Sequence, residues 1–178
     1  MIKFLALLFV LLNLFESLSQ TNEVRMTEIG KMYMDINQLI SDSSAICREA
    51  VKMVLDGYSP DSGQLYFEQK AEFCMVNSEY ATYSGFFTGY ELDLKSTFYY
   101  KNGLPFFVII NGQAEGNSYY REAYFDEYGN FMMLINSENN LAGSNTLELE
   151  IITDGELLMQ TEEEINEVLK EIKSILGE

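Results

Sequence analysis

Glu115, Glu122, Asp126 and Glu127 flank the best-patterned strand segment of this sequence. Two carboxyls about 5 to 10 Å apart across a cleft can hydrolyse a glycosidic bond, one as acid and one as nucleophile or base. Most other routes to catalysis are closed, because the 178 residues include no histidine. That removes Ser-His-Asp and Cys-His nucleophiles and the usual zinc, copper and non-haem iron sites. Carboxylate pairs, a lysine-activated nucleophile or tyrosine chemistry remain. The chain also lacks tryptophan, which glycan platforms favour, and its 28 acidic residues make carboxylate pairs common by chance. A carboxylate hydrolase is therefore the weakest of three function classes, and no catalytic residue, metal ligand or cofactor is assigned. The oxygen-rich runs Asn136 to Asn140 and Asp154-Gly155-Glu156 lack the ligand spacing of a calcium loop and read as turns.

Cys47 and Cys74 are the only cysteines, and an even count in an exported chain invites a disulfide. Cys47 lies nine residues before Asp56 on an expected helix, roughly 14 Å back along its axis. Cys74 lies eleven residues beyond Gly63 on an expected strand, up to about 36 Å away if extended. A plain helix-strand hairpin would keep them apart; a bend near residues 68 to 70 or a steep crossing would let them meet. The alternative is two small buried hydrophobes, since Cys47 continues the stripe Ile36, Ile40, Cys47, Val54.

Tyrosine is the other chemical resource. Ten of the twelve lie between Tyr66 and Tyr128. Adjacent pairs such as Tyr99-Tyr100 and Tyr119-Tyr120 send aromatics to opposite faces of a sheet. One face can enter a core, and the other would carry phenols toward solvent. Tyr99, Tyr119, Glu122 and Tyr124 are the expected binding surface.

The compartment follows from the first nineteen residues. Lys3 precedes an apolar run from Phe4 to Phe15, and Ser17-Leu18-Ser19 offers small residues for cleavage before Gln20. This is the pattern of an export signal. The run is shorter than the roughly 20 residues a spanning helix needs. The expected location is periplasmic or secreted, with no membrane insertion after cleavage. Residues 20–178 then form one domain.

Without Lys3 and Glu16 that domain keeps a net charge of −17, from 27 acidic and ten basic side chains. Twelve carboxylates and no Lys or Arg fall between Glu122 and Leu169. Such a surface repels nucleic acid. It suits solubility or a basic protein partner.

The elements that must hold these residues read as follows. Apolar spacing of three and four predicts helix over residues 20–57, with a break at Ser41 to Ser44. Aromatic-rich runs predict strands near 64–76, 80–88, 91–100, 106–111, 118–125 and 131–135. Asn102-Gly103 is a tight hairpin turn, and 126–130 a longer one. Leu147, Leu149 and Ile151 alternate with glutamates as a further strand, closing a sheet region of 64–152. Thr161-x-x-Glu164 reads as a capping box opening a terminal helix over 161–177.

The stretch from Thr97 to Leu134 resembles uncharacterised exported proteins of Gram-negative bacteria. It has an aromatic pair, a glycine turn, an apolar strand and then Tyr-Tyr-Arg-Glu-Ala-Tyr-Phe-Asp-x-x-Gly. The resemblance implies a Tyr/Phe-rich antiparallel meander and export, and carries no catalytic motif. Leu104-Pro105 departs from it, standing where a polar residue would end the first turn.

The expected architecture is α+β: an antiparallel meander of about five or six strands with the N-terminal and C-terminal helices packed on one face. The expected function is a non-enzymatic periplasmic or secreted binding protein for an unknown protein or glycan ligand. The alternative is an acidic inhibitor or immunity protein that neutralises a basic exported enzyme.

Overall fold

The computed structural model describes residues 23–59, 63–89, 92–114, 117–140, 150–152 and 155–178. The expected signal at 1–19 and the strand-like Leu147 and Leu149 lie outside these. Helix α1 (23–41) is followed by eight strands. They are β1 (Ile46–Ser59), β2 (Gly63–Met75), β3 (Tyr80–Thr88), β4 (Leu92–Lys101), β5 (Leu104–Ala114), β6 (Asn117–Phe125), β7 (Phe131–Asn140) and β8 (Glu150–Ile152). Helix α2 (Gly155–Leu176) closes the chain. Each strand pairs antiparallel with the next, so one sheet runs β1 to β8 in chain order. The α+β meander holds, with eight strands rather than five or six.

The largest correction is at residues 46–57, which are strand and not helix. The expected break is real: α1 ends where Ser43 takes a left-handed φ of 56° and the amides of Asp42, Ser43 and Ser44 close back on the last turn. After the break, Ile46, Cys47, Ala50 and Val54 fit a helical stripe as well as strand positions. Pairing with β2 decides between them, since it places Cys47 directly opposite Cys74. The two are joined by a disulfide. Neither a bend nor a steep crossing is needed once both lie on neighbouring strands. Opening this link, as Cys47→Ala with Cys74→Ala, should lower the unfolding free energy by about 3 kcal/mol, the loop-entropy scale for a closure of this length. Urea unfolding with and without a reductant measures it.

The second correction concerns the helices, which cover opposite faces of the sheet. Row alternation makes this explicit. Phe73, Tyr83, Phe98, Val108, Ala123, Leu134 and Ile152 oppose one another strand by strand. From Phe98 onward this row is buried with Ile165 and Ile172 of α2. The neighbouring row, Cys74, Thr82, Tyr99, Phe107, Tyr124 and Met133, points the other way. Its Tyr99, Phe107, Tyr124 and Met133 are buried with Ile29 and Ile36 of α1. An aromatic-rich strand with large side chains on both faces needs a cover on both, and one helix suits each.

Helix α2 lies along β1, β2, β3 and β7. It passes close over Gly85, where an added Cβ would meet Ile172 Cγ1 at 2.7 Å. Polar contacts hold its middle and its C-terminus. Arg121 of β6 reaches Glu164 at 3.1 Å and Asn136 at 3.2 Å. At the C-terminus Glu178 accepts from Arg48 and from Tyr83, and Lys173 stands over the Tyr83 ring. The helix starts at Gly155, six residues before the expected box, so Thr161 is a buried residue inside it and not at its N-terminus. Leu158 packs on the core and extends the apolar stripe backward, which is why the helix begins earlier.

The turns follow local chemistry. Asn102 and Gly103 take φ of 52° and 80°, the paired left-handed positions of a tight hairpin. Pro105 pairs with Tyr100 at a bulge, where a missing amide donor does least harm. Asn136 to Asn140 is the end of β7, not a loop.

Candidate functional site

Of the four residues expected to form a binding surface, the structure brings three to the α1 face. Tyr99 of β4 is buried beneath α1. Its hydroxyl donates to Asn37 Oδ1 at 3.1 Å, and Asn37 Nδ2 donates to the Tyr33 carbonyl at 2.8 Å. Tyr124 of β6 is buried too, its ring 5.1 Å from that of Phe107. Neither presents a surface while α1 stands in place, which corrects the expectation for both. Position 119 pairs with Gly112, and the Tyr119 side chain lies outside the described residues.

Glu122 is the residue around which chemistry gathers. It is half-buried on β6, opposite Ile109 and Ile135 of the neighbouring strands. Tyr124 donates to its Oε2 at 2.6 Å, and Tyr120 donates to Oε1. The two phenols, two residues to either side, stand on the same face by strand periodicity. Burial first, and then the hydrogen bond to the Glu122 carboxylate, push both phenols well above their ordinary ionisation. The assembly is a carboxylate held in one orientation by two neutral donors. Each oxygen retains acceptor capacity for a further donor.

On the same sheet face Lys95, Asn111, Tyr120 and Ser137 form one row across β4 to β7, Lys95 exposed and Ser137 buried. Lys95 stands 5.2 Å over the Phe86 ring. The region mixes half-buried apolar side chains with hydrogen-bonding ones. The alternation of Tyr120, Glu122 and Tyr124 is readable in the sequence. Asn37 and Tyr33 are not, because their part depends on where α1 docks.

Among the described hydrolase carboxylates, Glu122 has its own partners, while Asp126 and Glu127 lie together at the sheet end. Glu122 is engaged as described. Burial pulls the Asp126 carboxyl up, but hydrogen bonds from Asn130 and the Tyr128 amide outweigh it and hold it below the usual carboxylate range. Asp126 is thus the organiser of the 126–130 turn. Glu127 is exposed and lines a cavity of about 200 Å³ with Arg25, Lys101 and Asp126 at the sheet end. Glu115 lies outside the described residues. Among the described residues, Cys47, Glu72 and Cys74 form a grouping with metal-ligand spacing. With the sulfurs bonded to each other it offers no thiolate.

A second feature lies on the outward side of α2, where Met159, Glu162, Glu163, Asn166, Glu167 and Lys170 line a shallow groove. No helix among the described residues is long and apolar enough to cross a membrane. No known protein family, curated protein or solved structure matches this chain.

Replacing Glu122 by Leu should cost about 2 to 4 kcal/mol, since two donors lose a charged acceptor and the Tyr124 hydroxyl is left buried without one. Glu122→Gln should cost less than half of that, because an amide oxygen still accepts. Thermal denaturation of the two variants checks the order.

Proposed function

We propose that the chain is a non-enzymatic exported binding protein. Its ligand lies on the sheet face beside Glu122. One observation carries this reading: a carboxylate, half-buried and oriented by Tyr120 and Tyr124, stands between apolar neighbours. A group so fixed suits a ligand that brings an apolar body and a hydrogen-bond donor, such as a glycan or an amine-bearing peptide. The experiment is a thermal-shift screen of glycans and peptides. It is followed by titration of any hit against Glu122→Gln and Tyr120→Phe. Affinity reduced tenfold or more by both substitutions supports the site. A hit that binds both variants as it binds the parent places the ligand elsewhere.

The acidic inhibitor reading draws on the α2 groove, where exposed Met159 sits among Glu162, Glu163 and Glu167. An apolar contact rimmed by carboxylates suits a basic enzyme surface, and complementary charge speeds such association. A partner captured from envelope extract whose association rate falls steeply with salt would favour it over the first reading.

A further inference from the structure

We propose that two copies of this chain pair through β1, antiparallel about a two-fold axis at Val51, and so continue the sheet from one copy into the other. Strand β1 is the first of the sheet, and among the described residues its strand neighbour is β2 alone. The Cα atoms of Cys47 and Cys74 are 4.0 Å apart. Directly opposed residues approach this closely where they do not exchange backbone hydrogen bonds; hydrogen-bonded pairs stand about 5.5 Å apart. Alternation then turns the amide and carbonyl of Cys47, Glu49, Val51, Met53 and Leu55 away from β2, toward the free edge.

The same alternate positions carry exposed apolar side chains. Val51, Met53 and Leu55 are 52%, 59% and 52% exposed, and Tyr66, opposite Leu55, is 54% exposed. An edge strand is ordinarily guarded by a lysine, a proline or a bulge. Here Lys52 is drawn inward to Glu171 at 3.1 Å and Arg48 to Glu178. No proline lies in β1, and its bulge comes only between Leu55 and Gly57. A regular segment from Ile46 to Leu55 is left, with Val51, Met53 and Leu55 exposed on one face and Glu49 between Cys47 and Val51 engaged by Lys70 at 2.6 Å.

The occupant is a second copy because the segment is complementary to itself. With Val51 on the axis, residues 47 to 55 pair with 55 to 47, ending where the bulge begins. Val51 then meets Val51, Met53 meets Glu49 and Leu55 meets the Cys47–Cys74 link. On the other face Lys52 meets Ala50 and Arg48 meets Val54. No like charges oppose. An axis at Lys52 would oppose two ammonium groups. The acid excess of the chain does not obstruct the contact. Strands β1 and β2 together hold Arg48, Lys52 and Lys70 against Glu49, Asp56, Glu68 and Glu72, close to neutral beside a total of −17.

Sedimentation equilibrium of the purified protein tests this. A concentration-dependent dimer is expected, tightened by added salt because the remaining acidic surfaces repel. Val51→Lys, which sets two ammonium groups on the axis, should weaken it tenfold or more with an unchanged far-UV circular dichroism spectrum. Met34→Lys, at an exposed site on α1, should leave it unaltered. Val51→Cys should be captured as a covalent dimer by the shortest bis-maleimide, and Met53→Cys should not. A monomer at every concentration overturns the proposal, as does a dimer indifferent to Val51→Lys. Cross-linking at Met53 and not at Val51 overturns the register.

Discussion

Gly112→Ala is expected to destabilise the fold by more than about 3 kcal/mol, the upper end of ordinary overpacking. Gly112 lies on β5 opposite Leu94 of β4. A Cβ there would stand 2.0 Å from the Asp93 carbonyl oxygen and 2.7 Å from the Leu94 Cα. Both are backbone atoms, so no rotamer change relieves the overlap. The two central strands would have to part, breaking ladder bonds in the middle of the sheet. Gly85 offers the contrast. Its nearest atoms are side-chain carbons of Phe87 and Ile172, which can shift at moderate cost. Chemical denaturation of Gly112→Ala and Gly85→Ala should rank the first well below the second. Equal losses would mean that β4 and β5 yield more readily than their spacing implies.

That contrast bears on how much of the fold can be read from residues alone. The six middle strands could be, because β-branched and aromatic runs are separated by turns with their own chemistry, such as Asn102-Gly103. Strand β1 could not. Its solvent-side positions are apolar, so the contrast that distinguishes a strand from a buried helix is missing, and only pairing with β2 resolves it. The placement of helices on opposite faces was hidden for a related reason. Tyr99 and Phe98 are both large, and alternation says they diverge without saying which side is covered. In a sheet with both faces aromatic, two helices are the economical cover.

The site is legible to a smaller degree. Tyr120, Glu122 and Tyr124 share a face by spacing, and that follows from a strand assignment. Expecting Tyr99 and Tyr124 at a surface failed because α1 lies across them. A tyrosine signals a need for one apolar and one polar contact. Here the polar contacts are Asn37 and Glu122, inside the molecule.

Those internal phenols give the protein a sharp alkaline limit. Burial pushes Tyr99 up to about 12, with the hydrogen bond to Asn37 only partly opposing it. Burial likewise pushes Tyr100 up to about 12, and the nearby Tyr83 adds to the shift. Tyr120 and Tyr124 are raised as well, by burial and by the Glu122 carboxylate. In the unfolded chain all four ionise near 10. A group that holds its proton more tightly when folded contributes its full stability below the unfolded value. The contribution is lost as pH climbs from about 10 toward the folded value. For Tyr99 alone the loss by pH 12 is about 2 to 3 kcal/mol. Tyr99 and Tyr100 together then remove a sizeable share of the 5 to 15 kcal/mol that holds a typical domain folded. Absorbance titration at alkaline pH should therefore show a late class among the twelve tyrosines. The internal ones ionise in a steep step that coincides with loss of circular dichroism. Tyr99→Phe should move that step upward in pH, since it deletes a phenol whose ionisation drives unfolding. A smooth titration in which Tyr99 and Tyr124 ionise near 10 would show that α1 does not shield this face in solution, and the same result would expose them to a ligand after all.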